Sequence, residues 1–441
     1  MTSTMNSQNV LGRWLRPLAL ASALGMTACD SVLEVNDPDI ITTATSTAAA
    51  LALRNGAVLR LAQAMSGGGD NPDGMFPFSG LLADEWQSGD SFEQRNSTDQ
   101  RVIATTNSFV ANLFRRVHRV RIEGASAIAS LRQYAPTPTS NIGLMFALAG
   151  FAENQLGENF CNGIPFSEIA NGVIIFGVGI TNDSTFSRAI AHADSARAWV
   201  GGTDGPRITS LAAIVKGRAL LNRNKPAEAA AAVAGVATSF AYQITHSVNT
   251  TDNATWLQNI SLKRYTVGNS EGTNGLNYRS ANDPRIPSGP TNGGVSFDGV
   301  APYLSQGIWV NRTDPVNIAT GIEARLIEAE AALRAGDTPL FLAKLNEARA
   351  TKTGLAPLTD PGTADERVDL LFRERAFWMF GTGHRHGDLR RMVRQYSRSA
   401  NSVFPTGNWF KGGPYGSDIN FPIPFEETNN PNFTTCTDRN A

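Results

Sequence analysis

The strongest constraint on this chain is a run of paired amphipathic helices over residues 322–395. It opens IEARLIEAEAALRAGDTPLFLAKLNEARATKTGL, in which Ile322, Leu326, Ala329 and Leu333 recur at the spacing of one helix face. Gly336 is a permissive stop, because it lacks the Cβ that penalises a left-handed backbone. Thr338 is expected to cap the next helix, with Pro339 in its first turn and Phe341, Leu345 and Ala348 along one face. The small side chains of Ala329, Ala331, Ala332 and Ala343 let two antiparallel helices approach closely. This is a helical hairpin of tetratricopeptide type. A second pair follows. Thr363 and Glu366 have capping-box spacing, Val368, Leu371, Phe372 and Met379 form a buried face, and Gly381 ends the helix. GHRHGDLRR then leads into a shorter helix, with Asp388 as its expected N-cap.

Similar patterns place helices over residues 47–65, 107–134, 142–155, 186–200, 208–222 and 226–236. The helices recur in pairs at irregular intervals, as degenerate repeats over about 107–237 and 318–396. Arg115, Arg116, Arg119 and Arg121 on the long second helix read as a solvated face. Residues 240–317 change texture. Asn, Thr, Gly, Ser and Pro dominate there, with short strand-like pieces such as 263–267 and 307–311, and loops of this length are usually functional or disordered. Trp256, Tyr265, Tyr278, Tyr303 and Trp309 argue against disorder. Residues 397–441 have the same texture, and NGVIIFGVGI reads as a short strand or an insertion. The expected fold is mostly α, a degenerate tetratricopeptide-like scaffold with long irregular loops and a few short strands.

The N-terminus has its own logic. Arg13 and Arg16 precede an apolar run, 18–26, too short to span a membrane and suited to a signal-peptide core. It ends Met-Thr-Ala-Cys at Cys29, the pattern of a lipoprotein cleavage site. Residues 1–28 are then a signal peptide, 29–40 a tether and 41–441 one domain. A lipid on Cys29 leaves Cys161 and Cys436, which in an exported protein are expected to form a disulfide, the alternative being two buried thiols. A net charge of -1 gives no basic footprint for nucleic acid.

The runs RLIEAEAALRAGD, LNEARATKTGL, FRERAFWMFGTGHRHGDLRR and FPIPFEE, in this order and spacing, resemble the SusD/RagB family. Trp378 and Thr382 stand where that family commonly has Glu. The resemblance implies a surface lipoprotein that captures a nutrient, oligosaccharide or peptide, for a TonB-dependent outer-membrane transporter, with no cofactor and no catalysis. Ligand-stacking aromatics in glycan-binding members come from loops early and in the middle of the chain. The expected contacts are therefore Trp86 with Gln87, Trp256 with Asn253, Trp309 with Arg312, and Tyr303 and Trp409, since rigid rings stack on sugar C–H groups and neighbouring amides bond hydroxyls.

Enzyme signals are weaker. Residues 268–272 match G-x-S-x-G around Ser270, but the following TNGLNY is a poor helix and a nucleophile elbow needs strand, turn and helix. His384 and His386 lack a third metal ligand and read as packing. Asp70 and Asp73 do not match an EF-hand, and Asp84 and Glu85 have no second carboxylate placed for glycoside hydrolysis. The rival reading from another class is a tetratricopeptide adaptor for cell-envelope assembly.

Overall fold

A computed structural model describes residues 44–441 apart from 69–72, 171–172, 435, 437, 438 and 440. Cys29, the signal peptide, the tether and Asp70 lie outside the described residues.

Helix α1 (Thr47–Ser66) is followed by α2 (Met75–Leu82), strand β1 (Trp86–Ser88) and α3 (Glu93–Asp99). The long helix α4 (Ser108–Tyr134) starts where Asn107 accepts the backbone N–H groups of Phe109 and Val110. It packs on α1 and on α5 (Ser140–Asn159), which is buried along most of its length, as its small and apolar composition demands. Strands β2 (Ile164–Pro165), β3 (Glu168–Ala170), β4 (Val173–Ile175) and β5 (Gly179–Ile180) come next. Helices α6 (Asn182–Arg197), α7 (Gly205–Asn222) and α8 (Pro226–Val233) stack in succession on α5. After β6 (Ala241–Ile244), a π-helical turn (Trp256–Ser261), β7 (Tyr265–Val267) and β8 (Val316–Thr320), the repeat resumes. Helices α9 (Gly321–Ala335) and α10 (Thr338–Arg349) form the hairpin expected from the sequence, with α9 also touching α8 and α11 (Ala364–Trp378). Helices α12 (Arg385–Tyr396) and α13 (Ala400–Val403) and a 3-10 turn (Phe425–Asn429) complete the order. The scaffold is mostly helical and tetratricopeptide-like, and the strands make only two-stranded antiparallel pairs among the described residues.

Local signals fared unevenly. Gly336 is left-handed at φ 77, and the Thr363–Glu366 capping box is complete. Asp337 rather than Thr338 caps α10, because its carboxylate reaches the N–H of Leu340. Asp388 caps nothing: α12 begins three residues earlier, and Asp388 is buried between Arg375 and Arg391, at 2.8 Å from each. α11 ends at Trp378, before Gly381, which then takes a left-handed turn at φ 68. No strand forms at 307–311, where Gln306 Oε1 accepts the N–H groups of Ile308 and Trp309 instead. Arg121 is buried, with its guanidinium over Phe166, and Arg116 bonds the carbonyls of Gln63 and Gly68, so only part of that arginine row is solvated.

The run GHRHGDLRR ties the two halves of the chain together from inside. Arg385 grips Asp84 through two bonds, Arg390 donates to the carbonyls of Gly157, Glu158 and Phe160, and Arg391 pairs with Glu330 and Asp388. His386 bridges Asn159 Oδ1 and the Ile419 carbonyl at 2.8 and 2.9 Å. Burial, with Arg390 beside it, pushes its imidazole down to about 3, so it is neutral. Cys161 and Cys436 are disulfide-bonded, with Cα atoms 6.2 Å apart across 275 residues of sequence. The bridge pins the C-terminal segment beside the end of α5.

Candidate functional site

The structure places most of the aromatics expected to meet ligand inside the protein. Trp86 is 0% exposed, with its ring 4.9 Å from Phe380 and edge-on to Tyr265 at 6.3 Å. Gly80 packs against the same indole so closely that a Cβ there would lie 2.5 Å from Trp86 Cδ1. Tyr303 is sealed with its hydroxyl on the Asn259 carbonyl, and Trp309 is buried with its indole N–H on the Pro315 carbonyl. Trp409 is buried with its N–H on Asp99. These rings are corrections to the expectation of stacking faces. A tryptophan or tyrosine whose polar tip finds an internal acceptor, as in Tyr303, Trp309 and Trp409, can be buried whole, and its flanking sequence does not reveal that acceptor; Trp86 is buried by packing alone, with no acceptor for its indole N–H among the described residues. Asn253 is spent on structure, its amide on the Asp314 carbonyl and its oxygen on the N–H of Trp256. Gln87 and Trp256 are half-buried, and Arg312 is exposed in an ion pair with Asp252.

An exposed aromatic patch lies on other residues, which their sequence context does not single out. Phe92 is 46% exposed and Phe297 51%. The Arg264 guanidinium sits against both rings, 5.0 and 3.9 Å from their centroids. Lys411 joins the patch from the C-terminal loop, reaching the Asp90 carbonyl at 2.7 Å, Asn96 Oδ1 at 2.8 Å and Asp298 Oδ2 at 2.7 Å. The half-buried Phe410 packs on Trp409 at 5.4 Å, and Val295 and Val300 are exposed on the same loop as Phe297. Three distant stretches thus meet on one face: residues 88–96, residues 263–300 and residues 409–411.

Gly89 makes the convergence possible. Its N–H donates to the Arg264 carbonyl and its carbonyl accepts from Asp298 N–H. A Cβ on Gly89 would sit 2.3 Å from Ser296 Cβ, so only glycine admits this approach. Lys263 has a left-handed backbone at φ 53, its carbonyl held by the Phe297 N–H.

A buried ionic layer supports the face. Arg95 pairs with Asp73 at 2.7 Å and with Asp90, and Asp90 also takes Arg264 at 2.8 Å. Burial opposes the Arg95 charge, but Asp73, Tyr265 and Asp90 more than offset it and raise its pKa. Burial likewise disfavours the Asp298 charge, yet Lys411 and two backbone N–H groups hold that carboxyl below its usual range. Asp73 is therefore committed to Arg95 and Tyr265.

Other chemistry-bearing groups are arranged for structure. Ser270 follows β7 of an antiparallel pair and leads into turns, without a helix. Ser66 Oγ is 3.0 Å from His246 Nε2, but both are buried and the hydroxyl also bonds the Ala62 carbonyl. His384 and His386 are packed inside. Asp84 holds Arg385, while burial, opposed by the Gly381 N–H, pushes Glu85 up to about 8, so it is largely protonated at neutral pH. A cleft of about 240 Å³ lies between α4 and the segment around Pro424, with apolar walls from Phe114, Ile122 and Pro165.

No protein-family model matches the sequence, and a search of curated proteins finds no significant match. Solved structures do match. A SusD superfamily protein from Parabacteroides distasonis superposes with TM-score 0.64 at 15% identity, over 89% of this chain and 99% of that one. The chain has the SusD-superfamily fold. A second such protein, from Bacteroides vulgatus, gives TM-score 0.60 at 14% identity over 89% and 99% of the two chains. A structure described as a SusD-like carbohydrate binding protein, also from Bacteroides vulgatus, gives 0.55 at 13% over 78% and 83%. At these identities the SusD-like architecture is shared while most side chains differ. The ligand residues of this chain have to be argued from its own loop face.

Proposed function

We propose that this SusD-like chain is a non-enzymatic surface lipoprotein. In this reading residues 1–28 are removed, Cys29 carries lipid, residues 29–40 are a tether, and the domain from residue 41 onward sits at the outer membrane. It captures a soluble oligosaccharide and hands it to a TonB-dependent transporter. A peptide is the other cargo the same surface suits. No helix among the described residues is long and apolar enough to cross a membrane, so attachment in this reading rests on the lipid.

One observation carries the reading. Two exposed phenylalanine rings flank a guanidinium on a face built from three loops and held from beneath by buried ion pairs. Rings of this kind stack on sugar C–H faces, and Arg264 and Asn96 supply hydrogen bonds to hydroxyls. One structural neighbour, described as a SusD-like carbohydrate binding protein, supports the same cargo. The test is calorimetry of the purified protein against oligosaccharides and peptides, with product analysis of each mixture. Binding without turnover, lost in Phe92→Ala/Phe297→Ala, supports the reading. Hydrolysis abolished by Ser270→Ala overturns it.

The adaptor reading has one observation in its favour. Strand β4 and the segment after it expose Val173, Ile174, Ile175, Phe176 and Val178, an apolar stretch suited to a protein partner. A pull-down from outer membranes separates the two. Recovery of a large β-barrel transporter supports capture, and recovery of assembly factors alone supports the adaptor.

A further inference from the structure

Directly beneath the aromatic face, two acidic side chains from distant parts of the sequence meet in the interior. Asp99 ends α3, and Glu271 lies in the loop after β7; both are buried. Asp99 Oδ2 accepts the Ser88 N–H at 2.8 Å and the Trp409 indole N–H at 3.1 Å. Glu271 Oε1 accepts the Tyr415 hydroxyl at 2.7 Å. That leaves Asp99 Oδ1 and Glu271 Oε2, both sealed from water and both without a donor among the described residues. The two carboxyl groups are themselves within hydrogen-bonding reach of each other.

A sealed, unsatisfied carboxylate oxygen is expensive, and two facing each other add like-charge repulsion. A single proton between them removes both costs, since one carboxyl then donates to the other. We propose that Asp99 and Glu271 share one proton and that, in this state, they are positioning residues of the ligand face. The pair fastens the C-terminal loop, through Trp409 and Tyr415, to β1 and to the middle loops. Phe410 and Lys411 are thereby held beside Phe92, Arg264 and Phe297. The consequence for capture rests on the reading given under Proposed function; the shared proton itself does not.

The charged surroundings agree. Lys411 attracts Asp99, and Asp84 repels a charge on Glu271. Arg101 lies near the Tyr415 phenol and pairs electrostatically with Asp418. Burial is the largest influence on both acids and pushes both up, Asp99 to about 6 and Glu271 well above the usual carboxylate range. With both free oxygens sealed from water, the pair in this structure is accounted for by one charge and one proton. Alkali removes that proton, leaves two facing carboxylates and releases the loop.

The test is hydrogen exchange, followed by mass spectrometry, on the ligand-free full-length protein across pH 6.5 to about 10. In the wild type, protection of residues 407–416, corrected for intrinsic base catalysis, is expected to fall with pH by up to about tenfold per unit above the upper transition. Glu271→Gln keeps a donor toward Asp99 and an acceptor for Tyr415 without a titrating proton, so its loop should stay protected across the range. Glu271→Ala, which orphans both partners, should leave the loop open at every pH. Flat protection in the wild type, or a Glu271→Gln profile parallel to it, overturns the proposal. Because no ligand is present, that failure is separate from a failure to bind sugar. In the sugar titration, wild-type affinity should decline with alkali as the loop opens, and Glu271→Gln should lose that decline.

Discussion

Replacing Asp84 by Ala tests the claim that buried ion pairs hold the loops to the helical frame. Asp84 Oδ1 and Oδ2 take Arg385 at 2.6 and 2.9 Å, and the side chains are 0% and 6% exposed. Asp84 also accepts the Leu276 N–H at 2.9 Å and the Tyr278 hydroxyl at 3.3 Å. The substitution leaves a guanidinium in the interior without its carboxylate, and a backbone N–H without its acceptor. Breaking one side of a buried pair costs about 3–5 kcal/mol, far more than the pair's net worth, because the remaining charge cannot be hydrated. Asp183→Ala is the control. It removes the same kind of bidentate pair, with Arg223, where the side chains are 62% and 26% exposed. Water and salt screen that pair, and its loss should cost at most about 1 kcal/mol. Urea unfolding at fixed pH gives both numbers from midpoints and slopes. Equal losses in the two variants, or a loss below about 1 kcal/mol for Asp84→Ala, would refute the argument that burial sets the scale.

Other outcomes follow from the same structure. Glu85 titrates near 4.5 when unfolded and about 8 when folded, so the native state holds the extra proton. Its contribution is complete below the unfolded value and is lost as pH rises through the folded one, at up to about 1.4 kcal/mol per pH unit; Glu85→Gln should flatten that slope in denaturation curves from pH 5 to 9. His386 behaves oppositely: its lowered pKa withdraws stability as pH falls from the unfolded value of 6.5 toward about 3, and His386→Gln should soften the acid limb measured by circular dichroism. Gly89→Ala, whose Cβ would meet Ser296 at 2.3 Å, should weaken sugar binding in calorimetry while leaving helical content unchanged. Reduction or Cys436→Ser removes the closure of 275 residues, worth about 5.6 kcal/mol in the chain-entropy model, and should lower the thermal midpoint.

Most of the scaffold was legible in the sequence because its signals are local. The 3.6-residue apolar spacing of α9 and α10, the left-handed Gly336 and the Thr363–Glu366 box each concern residues within one or two helical turns. The pairing of Cys161 with Cys436 followed from counting once Cys29 was set aside for a lipid. Of the helix starts that went astray, the one at Asp337 turns on which of two adjacent polar side chains reaches a free N–H, while the one at Arg385, three residues before Asp388, has no side-chain cap to signal it.

The binding face was not legible, because nothing local separates a buried ring from an open one. Trp86 has polar neighbours in sequence and is sealed by Gly80, Phe380 and Tyr265, which come from three other places. Phe92 and Phe297 carry no polar tip that would single them out, and their exposure depends on Gly89 admitting Ser296 and on Lys411 arriving from the far end of the chain. The sequence by itself determined the helical frame, since amphipathic periodicity and capping act over a few residues. Only the tertiary structure decided which aromatics face solvent and which acids share the interior, since burial is a property of contacts made across hundreds of residues.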